Sequence, residues 1–267
     1  PDLLTAAGQL PEGCVLDGEL LCFDAHGPLA FSALQQRLGR KKPTKKLIEQ
    51  LPAGLLLYDL LEWEGRDLRS QPLAARRKLL QKLCSHLNPA HFRLSAALEA
   101  ETWAELTALR EGSREHMAEG LMLKRLSSTY ESGRKKGDWW KWKVDPLSID
   151  AVLLYAQQGH GRRSGLFTDY TFALWQGDKL VSFAKAYSGL TDAEIKEVDR
   201  FIKANTLEKF GPVRTVTPIL VFEIGFEALQ ASNRHKSGVA LRFPRILRWR
   251  RDKKAEDANQ LDDLLAL

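Results

Sequence analysis

The sequence lacks any long apolar run. Across the 267 residues, no stretch approaches the run of about 18 uncharged apolar residues that marks a membrane-spanning helix. The opening residues, PDLLTAAGQLPEG, contain neither a basic segment nor an apolar core, so no secretory signal peptide is predicted. The chain does not start with methionine, which fits a fragment of a longer protein. We therefore expect no membrane association and a cytoplasmic location, or a nuclear one in a eukaryote.

Cysteine is also scarce. The three cysteines, Cys14, Cys22 and Cys84, have apolar neighbours and no ligand-like spacing. An odd number without such spacing predicts buried free thiols, not a disulfide framework or a zinc site. A reducing compartment follows from this interpretation.

Positive charge is unevenly distributed. The formal net charge of +6 and the pI near 9.2 favour a polyanionic partner. Basic residues concentrate in three runs, at 39–46, 132–143 and 234–254. Each run alone could be a solvated face. Tryptophan and phenylalanine interleave with the last two runs, a pattern typical of nucleic-acid contacts.

The first part of the chain alternates strands and helices. Apolar patterning predicts strands over 15–24, 54–63, 120–125 and 139–144. Helices are predicted over 31–40 and from Pro72 to Leu87, with Arg76 among the outward-facing residues of the second. Thr102 and Glu105 form a capping-box pattern that predicts a third helix.

The pattern changes near Pro146, where we place a domain boundary between residues 1–145 and 146–267. Beyond it, short strands surround one helix that begins with the capping-box pattern of Thr191 and Glu194. This arrangement predicts a small β-barrel of the OB type. Leucines 261, 264 and 265 predict an amphipathic terminal helix. The strands are predicted over 151–156, 170–175, 179–184, 213–216, 219–227 and 239–241.

Three acidic residues are candidate ligands. Asp17 and Glu19 lie two apart on a strand, so both carboxylates project from one face. Their repulsion is relieved by a cation or by a hydroxyl-bearing ligand, although an exposed strand with solvated acids has the same pattern. Glu119 opens an apolar strand and could hold magnesium or form an ion pair with a lysine.

Lysines and a tyrosine suggest phosphate and base contacts. Lys141 and Lys143 share one strand face, opposite Trp140 and Trp142, and two lysines side by side gain from a phosphate between them. Tyr58 is a polar-tipped aromatic in an apolar strand, suited either to a base or to the core. The segment LRFPRILRWRRDK adds guanidinium groups that suit phosphate oxygens.

Taken in order, these segments resemble the later motifs of ATP-dependent DNA ligases. The resemblance is carried by VLDGEL, LLLYDLLEWEG, EGLMLK, WWKWK and RFPRILRWRRDK, and VFEIGFEALQASNRHKSGVALRFPR extends it. It implies an α+β protein: an incomplete nucleotidyltransferase (adenylation) domain with antiparallel sheets, then an OB-fold domain with a C-terminal helix. It further implies an enzyme that seals nicks in DNA replication, repair and recombination.

The resemblance also implies a role for each candidate residue. Glu19 would contact the ribose of ATP and, with Asp17, help to place a metal, Tyr58 would stack on adenine, and Glu119 would bind Mg²⁺. Lys141 and Lys143 would hold the α-phosphate, and Arg248, Arg250, Asp252 and Lys253 would orient the β,γ-phosphates. The family often has arginine six residues before the first paired lysine, where this chain has Lys135 next to Arg134, and these two residues would also help to bind ATP. The expected cofactors are ATP and Mg²⁺, and the expected partners of the monomer are nicked duplex DNA and the upstream remainder of the ligase.

One family motif is missing. The lysine that accepts AMP lies in a K-x-D/E-G segment, and no lysine in these 267 residues has that context. We expect it upstream of Pro1, so the chain alone should not self-adenylate. Two alternatives stay open: a non-catalytic nucleic-acid-binding remnant, and an mRNA-capping-type guanylyltransferase, against which the RFPR and FEIGFEALQ segments favour the ligase.

Overall fold

The computed structural model of the chain describes residues 2–267, apart from the side chain of Arg162. It divides into two compact units, one up to Val144 and one from Asp145 to Leu267. Helices and mainly antiparallel sheets form both units, which confirms the predicted α+β class.

The first unit contains five helices and six strands among the described residues. In chain order they are α1 (Asp2–Ala7), β1 (Val15–Cys22), α2 (Phe31–Leu38), α3 (Lys45–Gln50), β2 (Ala53–Trp63), β3 (Arg66–Asp67), α4 (Leu73–Cys84), β4 (Phe92–Leu94), α5 (Trp103–Glu111), β5 (Gly120–Lys124) and β6 (Trp139–Lys143). The predicted strands and helices of this region are present. Four short elements, α1, α3, β3 and β4, were not predicted.

The larger sheet of the first unit is built on β2. Antiparallel β1 and β3 and parallel β4 pair with it, and α4 packs against it. Leu57, Leu60, Leu80 and Phe92 lie in the main core cluster, and each such side chain stabilises the fold by about 1.5–3 kcal/mol when fully buried. A separate small cluster, formed by Cys22, Ala33 and Leu34, lies under α2.

A buried ion pair joins α4 to β2. Arg76 donates to Asp59 through Nε at 2.9 Å and Nη2 at 2.8 Å, and both side chains are 0% exposed. The predicted outward orientation of Arg76 is therefore wrong. Its guanidinium also donates to the backbone carbonyl of Ser128 at 3.2 Å, so one cation links the sheet, the helix and the loop that precedes β6.

The second unit is arranged around the long strand β7 (Leu147–Gln158). Its other elements are β8 (Phe167–Gln176), β9 (Lys179–Ala186), α6 (Asp192–Ala204), β10 (Thr206–Phe210), β11 (Val213–Val216), β12 (Val221–Phe226), β13 (Ala228–Ala231), β14 (Val239–Arg242), β15 (Arg245–Trp249) and α7 (Leu261–Leu265). Both β11 and β12 pair with β7, as does β8, which continues to β9. The strands β9, β10 and β15 each pair with a single neighbour in this sheet.

Beside a small cluster of Val152, Val221 and Ala258, this second unit has one large core. It includes the fully buried rings of Phe172, Phe222 and Phe226, and α6 and α7 contribute Ile202 and Leu264. The capping box at the start of α6 is confirmed, because the Thr191 hydroxyl accepts from Glu194 N–H and the Glu194 carboxylate accepts from Thr191 N–H. The predicted terminal helix is also present as α7.

Candidate functional site

The acidic pair on β1 is satisfied by tyrosines. The Tyr58 hydroxyl donates to Glu19 Oε2 at 2.8 Å, and the Tyr130 hydroxyl donates to Asp17 Oδ2 at 3.2 Å. Burial and the nearby carboxylates raise the pKa of both Tyr58 and Tyr130 above the ordinary tyrosine value. The two phenols therefore stay protonated and keep donating, which relieves the repulsion between the acids.

Glycine is required where β5 begins. Gly120 has φ +138° and lies opposite Lys143 in the β5–β6 pair. A Cβ atom at this position would lie 2.3 Å from the Trp142 carbonyl oxygen, and an L-residue would also be strained at this φ. The glycine thus allows the close approach that brings Glu119, just before β5, next to Lys143.

Three lysines share one face of the β5–β6 sheet. Lys124 pairs with Trp139 in the register, so it projects on the same side as Lys141 and Lys143. We call these three residues the lysine face. Lys143 Nζ lies 2.9 Å from Glu119 Oε2, which unites two of the predicted site residues. Lys141 is exposed and has no carboxylate within ion-pair distance in the described part of the chain.

Lys124 is a further candidate site residue, which the sequence interpretation missed. Its Nζ lies 4.1 Å from the ring centroid of Trp139 and 5.7 Å from that of Tyr58, distances that suit cation–π attraction. Burial lowers the pKa of Lys124, against the attraction of Asp59 and Asp17. In the sequence, Lys124 is two residues after Met122 on β5, so the two side chains share a face. That this face also carries Lys141 and Lys143 follows only from the register with β6.

The tryptophans behind the lysine face are only partly packed. Trp142 contacts the edge of Trp103 at a centroid distance of 6.0 Å, and the guanidinium of Arg110 lies 4.9 Å from its ring. Trp140 is 47% exposed. Trp142 is therefore packed against two side chains behind the strand, whereas Trp140 is about half exposed.

The three predicted metal ligands are not gathered in one place. Within residues 2–267, no group of three or more histidine, cysteine, aspartate or glutamate side chains could hold a metal ion. Magnesium is commonly held by one or two carboxylates together with phosphate oxygens and water. The half-exposed carboxylate of Glu119 has the chemistry for one such ligand, so its metal role stays a prediction.

Arg134 and Lys135, both predicted to bind ATP, lie in the loop between β5 and β6. Lys135 forms an ion pair with Glu131, four residues earlier on the same loop. Arg134 is exposed. The structure leaves both residues away from the paired strands, and their role in binding ATP also stays a prediction.

Carboxylates neutralise the basic residues of β15 and of the turn that follows it. We call residues 245–253 the basic segment. Its five cations all have an acidic partner: Arg245 with Glu227 at 3.0 Å, Arg248 with Glu223 at 2.6 Å, Arg250 with Asp252 at 2.8 Å and with Asp150 at 2.6 Å, Arg251 with Glu197 at 2.7 Å, and Lys253 with Asp150 at 2.7 Å. The hydrogen bonds from Arg250 lower the pKa of Asp252 to about 2. The sequence showed the cations but not the partners, several of which lie far away along the chain.

Comparison with known proteins decides the family. The model of the ATP-dependent DNA ligase domain matches residues 2–143, more than half of the chain. This chain belongs to the ATP-dependent DNA ligase family. The model of the ATP-dependent DNA ligase C-terminal region also matches, over residues 163–253. Membership confirms the resemblance predicted from the motifs, and it favours a ligase over a capping-type guanylyltransferase.

Several relatives are DNA ligases by name. The chain is 38% identical over 283 residues to a probable DNA ligase of Koribacter versatilis, covering 98% of this chain and 49% of that protein. It is 37% identical over 291 residues to a probable DNA ligase of Opitutus terrae, covering 98% and 29%, and 32% identical over 262 residues to a DNA ligase of Haloferax volcanii, covering 96% and 44%. The chain thus spans about half the length, or less, of these curated ligases.

Solved structures share the fold. The protein Pmar-Lig_Pre aligns with a TM-score of 0.69 at 22% identity, covering 94% of this chain and 54% of that one. A structure from a structure–function analysis of Lig E DNA ligases aligns with a TM-score of 0.63 at 19% identity, covering 91% and 79%. They support the nucleotidyltransferase-plus-OB-fold architecture of this ligase chain. Across residues 2–267, no helix is both long enough and apolar enough to cross a membrane.

Proposed function

We propose that this chain is part of an enzyme that seals nicks in duplex DNA at the expense of ATP. The enzyme forms a lysyl-AMP and then an adenylated 5′-phosphate. The observation that carries the proposal is the lysine face, where three lysines share one side of the β5–β6 sheet, Glu119 pairs with Lys143, and Lys124 lies 5.7 Å from the centroid of the Tyr58 ring. Such a face suits the phosphate of a nucleotide whose base lies on the aromatic ring.

The nucleoside is recognised on the β1–β2 side of the site. The hydrogen bond to Glu19 fixes the Tyr58 ring, and a fixed ring is a ready stacking surface for adenine. Glu19 uses one oxygen for Tyr58 and is otherwise exposed. Its remaining lone pairs can accept hydrogen bonds from ribose hydroxyls.

The α-phosphate is held by the lysine face. Lys141 is exposed without an acidic partner, and Lys143 is oriented by Glu119. Their charges stabilise the negative charge that develops on the phosphate oxygens during each transfer. Glu119 would hold Mg²⁺, which would supply further positive charge to the phosphate.

Three nucleophiles act in succession on phosphorus. A lysine nitrogen displaces pyrophosphate from ATP, the DNA 5′-phosphate then takes AMP from that lysine, and the 3′-hydroxyl finally displaces AMP and closes the strand. The 267 residues contain no K-x-D/E-G segment, so we assign the lysine to another part of the protein. Arg248 and Lys253 of the basic segment serve the β,γ-phosphates, which leave as pyrophosphate in the first displacement.

Labelled ATP tests the proposal. The full-length protein should acquire covalent AMP that survives a denaturing gel, and Lys141→Ala should reduce both this label and the sealing of nicked DNA. The control is Lys82→Ala, which removes an exposed lysine from α4 and should leave both reactions unchanged. If the Lys141→Ala protein is labelled and seals nicks like the wild type, the assignment of Lys141 to the α-phosphate is wrong.

A further inference from the structure

Two cations of the basic segment converge on one buried carboxylate, Asp150. Its side chain is 9% exposed, and its Oδ2 accepts from Arg250 at 2.6 Å and from Lys253 at 2.7 Å. Its Oδ1 is buried and has no hydrogen-bond partner within the described residues. A half-satisfied buried carboxylate is costly and calls for an explanation beyond packing.

The backbone at Asp150 bonds to Asn259, which follows the basic segment, and so fastens the end of the next turn to β7. Asp150 N–H donates to Asn259 Oδ1 at 3.0 Å, and Asn259 N–H donates to the Asp150 carbonyl at 3.0 Å. Together with the two ion pairs, these bonds hold both ends of the turn 250–259 against the strand. The positions of the two cations are therefore set by a residue about 100 positions earlier.

The two cations held by Asp150 differ in the N–H groups that they leave available for a ligand. Arg250 is 15% exposed and forms ion pairs with both Asp150 and Asp252. Lys253 is 29% exposed, and its ammonium has three N–H groups, of which one points to Asp150. The others remain for a ligand, and the ion pair decides where they point.

We infer that Asp150 is a positioning residue for the transfer of AMP to the enzyme. It holds the Lys253 ammonium in the orientation that receives the β,γ-phosphates. The inference rests on the proposed function, in which the basic segment meets these phosphates. A flexible lysine loses conformational entropy when a ligand orders it. Because the ion pair orders Lys253 before the ligand arrives, binding no longer carries that entropy cost.

Asp150→Asn in the full-length protein tests the inference, because it removes the charge and keeps the shape. The KM for ATP in self-adenylation, and the KM for pyrophosphate in the reverse reaction, should rise roughly 10-fold or more, by analogy with the loss of a group that orients a metal ligand. Sealing of a pre-adenylated nick should be unchanged, since no β,γ-phosphate takes part. The control Glu197→Gln breaks the neighbouring ion pair to Arg251 and should alter none of the three reactions.

A double variant covers the case in which Asp150→Asn does not fold. Asp150→Asn with Lys253→Met removes the cation together with its partner, so no lysine charge is left buried alone. If Asp150 acts through Lys253, the double variant is as active in self-adenylation as Lys253→Met alone. A double variant much slower than that single variant overturns the inference.

The outcomes separate this inference from the proposed function. If Lys253→Met slows self-adenylation and pre-adenylated sealing equally, the phosphate role of the basic segment fails. If Lys253→Met slows only self-adenylation while a folded Asp150→Asn behaves like the wild type, only the positioning role fails. Equal losses in both reactions with Asp150→Asn would also refute that role.

Discussion

The lysine face and the basic segment are both rich in cations, yet their surroundings differ. Every cation of the basic segment meets a carboxylate. On the lysine face, only Lys143 has an ion pair among the described residues, while Lys124 lies over two aromatic rings. A run of basic residues in a sequence therefore does not reveal the electrostatic field that it produces, because its acidic partners come from distant parts of the chain.

The difference suggests a division of labour. A face on which only one of three lysines has an ion pair attracts phosphate, and the α-phosphate is present at every step of the proposed reaction. A compensated segment has little net field and offers donors already held in place. It suits a ligand present at one step only, such as the β,γ-phosphates.

The largest expected effect separates the two regions by reaction step. In the full-length protein, Arg248→Ala should slow self-adenylation roughly 10²-fold, the scale for losing one charge-stabilising group, and leave sealing of a pre-adenylated nick nearly intact. Lys141→Ala should impair both reactions. Single-turnover rates of the two reactions measure this, with Arg251→Ala as the control in the same segment. If Arg248→Ala impairs both reactions equally, the division of labour is wrong and the segment is a general DNA-binding surface.

An intermediate effect is expected in the salt dependence of DNA binding. Each cation that neutralises a phosphate contributes about −0.9 to the slope of log K against log salt. Lys136→Ala, in the exposed loop before β6, should remove about that much from the slope. Arg251→Ala should remove far less, because Glu197 already neutralises Arg251. Titrations of nicked duplex at several salt concentrations measure the slopes, and equal changes for both variants would erase the distinction between paired and unpaired cations.

The smallest effect concerns pH. Arg250 lowers the pKa of Asp252 to about 2, below the unfolded value of about 3.9. A lowered pKa stabilises the fold above the unfolded value, and this stability is lost as the pH falls through about 2. The melting temperatures of the chain and of Asp252→Asn should thus differ by a small, constant amount from neutral pH to about pH 5, and converge in stronger acid. Asp178→Asn, in an exposed turn, controls for the loss of a surface charge, and a gap that widens in acid would contradict the assignment.

The fold could be predicted where apolar periodicity was long. Strands β1, β2 and β7 and helices α4 and α6 follow from such patterns, whereas β4 has three residues and too little pattern to be seen. The strand β15 was missed because its cations were interpreted only as phosphate ligands. Its pairing with β12 shows that the same residues also form an edge strand of the seven-stranded sheet.

The sequence allowed the candidate residues of the site to be predicted, but not the contacts between them. The candidates Asp17, Glu19 and Tyr58 follow from motif and alternation, yet the hydrogen bonds that join them to tyrosine hydroxyls depend on register and tertiary packing. Arg76 was placed outward because helical arginines usually are exposed. A carboxylate 17 positions away, Asp59, makes its burial possible, and no local pattern indicates that pairing.

The small cluster of Cys22, Ala33 and Leu34 has a consequence for local unfolding. Besides these three buried side chains, α2 is anchored by the ion pair between Arg37 and Asp2, and α3 has no buried residue. Regions with so little buried apolar surface open well below the free energy of global unfolding, and their amide hydrogens exchange early. The basic run 39–46 joins these two helices. A polyanion that contacts this run therefore meets a segment that can rearrange without disturbing the core beneath β2.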